Sequence, residues 1–100
     1  MTQKELLAHL TNITNEASIR EQGLLKKHYH SIYGDVICFH RLRPTGRGHT
    51  LNYLRRYARV SDLIVVTVDP ELLDKSKLKL TREEAIYFDN IPPELLRIYK

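Results

Sequence analysis

Residues 8–25 read AHLTNITNEASIREQGLL, and this stretch decides the fold. An apolar run that opens at Leu6-Leu7-Ala8 closes at His9-Leu10-Thr11. Polar Asn12 and Thr14 interrupt it, and Asn15 opens a short helical pattern with Ala17 and Ile19 at its apolar positions. Asn suits a helix start, because its side chain accepts a hydrogen bond from a first-turn amide. Gly23 stops the pattern, since glycine enters the left-handed conformation without a Cβ clash, and Leu24-Leu25 follow. The stretch therefore predicts strand, loop, short helix and stop. His9 and Thr11 fall at the strand end, where rigid scaffolds commonly hold binding groups.

Outward from this stretch, the chain reads as one domain over residues 1–100, large enough for a single core. With 42% hydrophobic and 28% charged residues, its composition is that of a globular protein. It holds no run of eighteen apolar residues that would span a membrane, and MTQKELLAHL lacks the pattern of a signal peptide. Cys38 is the only cysteine, so no intrachain disulfide forms, and a cytoplasmic, reducing setting is expected. One Cys with scattered His makes no zinc signature, so no metal is expected. The net charge of +4 is compatible with a nucleic acid or another phosphate-bearing partner.

Residues 26–34 (KKHYHSIYG) are polar and aromatic and read as a loop. Residues 35–40 (DVICFH) read as a largely buried strand, and 41–48 (RLRPTGRG), with Pro44, Gly46 and Gly48, as a turn or mobile loop. Residues 49–59 predict a helix capped by Thr50. Leu51, Leu54 and Ala58 share its core face with Tyr57 beside them, and Asn52, Arg55, Arg56 and Arg59 form an outer basic stripe. Residues 61–68 (SDLIVVTV) are the strongest strand signal, apolar enough for burial on both faces. Asp69-Pro70 starts one short turn. A basic exposed run follows at 75–79, a strand at 84–88, and a short helical or extended piece after Pro92-Pro93. The fold class is α+β: a small twisted mixed sheet with short helices.

The order of these pieces resembles the ADP-ribosyltransferase fold, closest to the single-domain branch with RNA 2′-phosphotransferases and DNA-ADP-ribosylating toxins. There a strand bears a His followed by Thr, a short helix bears an Ile and runs into Gly-Leu, a strand ends in Val-Asp, and an Ile-Pro-Pro closes the unit. The corresponding residues are His9, Thr11, Ile19, Gly23-Leu24, Val68-Asp69 and Ile91-Pro92-Pro93. The match spans nearly the whole chain and is loosest over residues 26–59. The extra N-terminal winged lobe of the phosphotransferases has no counterpart, which argues against RNA repair.

The resemblance implies NAD as cofactor and a protein or nucleic-acid acceptor, with His9 and Thr11 on the NAD ribose. It also implies Phe39, where the branch has a Tyr, and an aromatic of the helix, Tyr53 or else Tyr57, stacked on nicotinamide. Glu84, or Glu83 if the register slips by one, would stabilise the oxocarbenium-like charge that grows as the nicotinamide bond breaks. Read without the resemblance, the two glutamates are solvated residues at a strand end, His9 is a satisfied strand-end histidine, and Thr11 bonds its own turn. Tyr57 is read as helix packing, and Cys38 as core.

Two functions follow. One is a toxin-like NAD-dependent ADP-ribosyltransferase. The other is a non-catalytic module of the same fold that grips nucleic acid or an acidic protein through Arg41, Arg43, Arg47, Arg55, Arg56 and Arg59, whose guanidinium groups bind phosphate bidentately. The bland alternative for these arginines is a solvated basic face.

Overall fold

The computed structural model describes residues 5–30, 32–42 and 50–100. Strand β1 (Leu6–Asn12) runs into a 3-10 turn and helix α1 (Glu16–Gln22), as the opening stretch predicts. Asn12 rather than Asn15 supplies the cap: its side chain accepts from the Thr14 amide, whereas the Asn15 side chain caps no backbone amide. β2 (Lys27–His30) lies within the segment read as a loop, and β3 (Gly34–Leu42) extends the predicted strand two residues beyond His40. Helix α2 (Leu51–Val60) is capped by the Thr50 hydroxyl, which accepts from the Tyr53 amide. β4 (Leu63–Val68), β5 (Leu78–Leu80), β6 (Glu84–Tyr87) and β7 (Leu96–Tyr99) complete the set.

The class is α+β. The sheet runs β5-β6-β3-β1-β4-β7, with β2 paired to β3 off this path. Every described pairing is antiparallel, where the sequence led to a mixed sheet. Short hairpin connections dictate this for β2 with β3 and for β5 with β6; the other four pairings join strands distant in sequence. β1 sits in the middle, with Leu6, Leu7 and Ala8 opposite β3 and Leu7 to Asn12 opposite β4.

Side chains alternate across a strand, so β1 feeds two separate cores. Leu7 joins Ile37, Phe39, Ile64, Val66, Val68, Ala85 and Tyr87 beneath α1, together with Ile19, Leu24 and Ile91. Ala8 joins Leu42, Val65, Leu54 and Ala58 beneath α2. Fully burying one such aliphatic side chain stabilises by roughly 1.5–3 kcal/mol. β4 contributes to both cores, as its continuous apolar run predicts.

Gly23 joins α1 to the far end of the chain. Its amide donates to the Ile19 carbonyl, closing the helix. Leu24 and Ile91 then exchange backbone hydrogen bonds of 2.9 and 2.8 Å. The Gly-Leu and Ile-Pro-Pro motifs, far apart in sequence, thus meet. Gly23 has φ of 80°, and a Cβ there would fall 2.0 Å from the Ile91 carbonyl oxygen. A side chain must therefore accept strained backbone and also push the bridge apart. Gly23→Ala is expected to cost about 2–4 kcal/mol in denaturant unfolding.

Candidate functional site

On the α1 side of the sheet, His9, Thr11, Asn15, Ser18, Ile19, Gly23, Leu24 and Leu25 line one hollow. The geometry follows from β1: His9 and Thr11 share the face of Leu7, and the 3-10 turn folds α1 back over that face. The His9 ring donates from Nδ1 to the Cys38 carbonyl at 2.9 Å and meets Phe39 edge-on at 6.0 Å between centroids. A donating Nδ1 makes Nε2 the acceptor nitrogen of the neutral ring. Thr11 Oγ1 accepts from the Asn15 side-chain Nδ2 at 2.9 Å, a local side-chain bond across the turn. The free volume here is about 60 Å³, the room of about two waters. A pocket that encloses a cofactor measures about 300–1,000 Å³. The residues seen lining the hollow therefore accommodate a hydroxyl or a small polar group, and they do not enclose a dinucleotide.

Of the remaining residues that the resemblance assigns to NAD, only Phe39 adjoins the hollow, through its contact with the His9 ring. Phe39 is buried in the α1-side core, at 2% exposure. Tyr53 stands on α2, across the sheet. Glu84 pairs with His40, while its neighbour Ala85 pairs with Phe39 and lies in the α1-side core. The Glu84 side chain thus leaves the sheet on the opposite face from His9. On that face burial, and after it the Glu84 charge, pushes the half-buried Cys38 thiol up from its usual value. His9 and Glu84 do not share a cleft. Glu83 falls on the other side of the alternation, but it is exposed, and its carbonyl accepts from the Arg41 amide.

The arginines divide by role. Arg43 and Arg47 lie outside the described residues. Arg41 is not on the glycine-rich loop but within β3, where its guanidinium pairs with the Glu5 carboxylate and donates to the Thr81 carbonyl. That carboxylate raises the Arg41 pKa further. Arg41 ties the start of β1 to the β5–β6 turn, which is a structural task.

Arg56 and Arg59 are exposed on α2. Arg55 is half-buried: its guanidinium lies 5.1 Å from the Tyr99 ring centroid, and its Nε has no hydrogen-bond partner among the described residues. Arg97 approaches the same ring at 5.3 Å. Arg97 and Tyr99 were not singled out from sequence. Their signal was the period-two alternation Leu96-Arg97-Ile98-Tyr99, which places one apolar pair in the core and the other pair beside α2. Tyr57 is 51% exposed rather than packed against the helix's own core face.

Arg41→Ala is expected to lower stability by about 2 kcal/mol in denaturant unfolding, because it removes the guanidinium that bridges the Glu5 carboxylate and the Thr81 carbonyl, and to leave any affinity of the α2 face unchanged. No family model, curated protein or solved structure matches this chain.

Proposed function

We propose that the protein is a binding module that grips nucleic acid through α2 and the adjoining strand β7. The observation that carries this reading is the convergence of Arg55 and Arg97 on the Tyr99 ring, continued along α2 by exposed Arg56 and Arg59. None of α2, β4 or β7 contains an Asp or Glu; the acids nearest them in sequence lie outside these elements, Asp62 and Asp69 beyond the two ends of β4 and Glu94 in the turn before β7. Like charges held around one ring repel, and a phosphate between them relieves that repulsion with charge-assisted hydrogen bonds. No ion pair among the described residues engages Arg56, Arg59 or Arg97. Binding of a labelled oligonucleotide is expected to weaken linearly with salt on a log–log plot. Each of Arg56→Ala, Arg59→Ala and Arg97→Ala should shrink the slope by about 0.7–0.9. An unchanged slope in all three variants rejects the reading.

A second reading is a cytoplasmic ADP-ribosyltransferase-like domain that takes NAD and modifies a macromolecular acceptor. What favours it is the arrangement of its opening motif, because His9, Thr11, Ile19, Gly23 and Leu24 all border one hollow. The described residues do not themselves fit a whole dinucleotide, and Glu84 faces away from the hollow. Calorimetric titration with NAD decides this reading. Saturable heat that His9→Ala abolishes supports it, and the absence of heat at millimolar NAD rejects it.

A further inference from the structure

Resting on the nucleic-acid reading, we infer that the partner is single-stranded, its bases lying on Tyr53 and Tyr57 while its phosphates follow the arginines. At 3.6 residues per turn, α2 carries two neighbouring strips on its outward side. Arg55, Arg59 and Arg56 form one strip, toward Arg97 and Tyr99. Val60, Tyr53 and Tyr57 form the other.

Leu51, Leu54 and Ala58 hold the opposite side of the helix on the sheet. The outer aromatic strip is open to solvent: Tyr53 is 56% exposed, Tyr57 51% and Val60 84%. Residues four apart on a helix stand about 5–6 Å apart at Cβ, so the two tyrosines present successive rings along the axis. Exposed apolar surface of this kind, rimmed by charge, marks a contact site.

A polyanion of any kind satisfies the arginines, but only one with accessible flat faces also uses the tyrosines. Single strands offer base faces for stacking, and every base has one, so the contact tolerates any sequence. A duplex stacks its base faces against one another and presents only edges and backbone. An acidic peptide supplies charge without rings. The side-by-side placement of a cationic and an aromatic strip on one rigid helix therefore favours the single strand.

The test compares fluorescein-labelled oligothymidylate with a hairpin duplex by fluorescence anisotropy, using the whole chain. Alanine is the best helix former, so Tyr53→Ala/Tyr57→Ala retains α2, which circular dichroism verifies. The double variant is expected to bind oligothymidylate at least about tenfold more weakly. Duplex affinity and both salt slopes should stay as in the parent, and Tyr53→Phe/Tyr57→Phe should restore the loss. An unchanged single-strand affinity, or an equal fall on both forms, overturns the inference and leaves the arginine reading standing. Tyrosine-dependent binding of polyglutamate in place of oligothymidylate overturns it in favour of a protein partner. Absence of binding to every probe overturns both.

Discussion

The strict two-residue alternation of β1, locked between β3 and β4, is the constraint from which the rest of this structure follows. Leu7, His9 and Thr11 leave the sheet on one side, and Leu6, Ala8 and Leu10 on the other. With strands hydrogen-bonded on both edges, a one-residue slip would exchange two buried cores at once, so the register has no soft direction. The same register passes through β3 to β6 and decides where Glu84 points. His9 and Glu84 come from strands separated by β3 alone, yet the parity of their positions sends them to opposite faces.

The two faces are finished differently. On one, the 3-10 turn after Asn12 folds α1 over the sheet, and the Leu24–Ile91 bridge pins its exit to the chain's far end. Gly23 is required because backbone passes where a Cβ would stand. The segment around the hollow is thus tied at both ends and leaves a small cavity with polar edges. On the other face, α2 packs only Leu51, Leu54 and Ala58 downward, which leaves its long outer side to solvent. That side holds arginines and tyrosines and no carboxylate.

These differences sort the basic residues by what surrounds them. Arg41 has a carboxylate and a carbonyl within hydrogen-bonding distance and acts as a strut. Arg55 lies against an aromatic ring with its Nε desolvated and without a partner among the described residues. Arg56, Arg59 and Arg97 project outward. A guanidinium already neutralised adds little attraction for a polyanion, whereas cations gathered without acids raise the local potential and speed encounter. The α2 face therefore supports a binding role more strongly than the hollow supports chemistry.

Much of the local structure was legible in the sequence, because local structure has local causes. The run before Asn12, the stop at Gly23, the Thr50 cap, the Leu51-Leu54-Ala58 stripe and the apolar run of β4 each carry their own period or punctuation. β2 and β7 were harder to read: one is short and polar, and the other follows two prolines and shows only four alternating residues. The grouping of His9, Thr11, Gly23 and Leu24 was also accessible, since the residues lie within one turn-and-helix unit. The tertiary structure alone decided which face Glu84 occupies, that Arg41 is paired with Glu5, and that Arg97 and Tyr99 stand beside α2. Those outcomes depend on strand register and on pairings between residues tens of positions apart. No period within a single segment encodes them, because they are set when two cores are packed together.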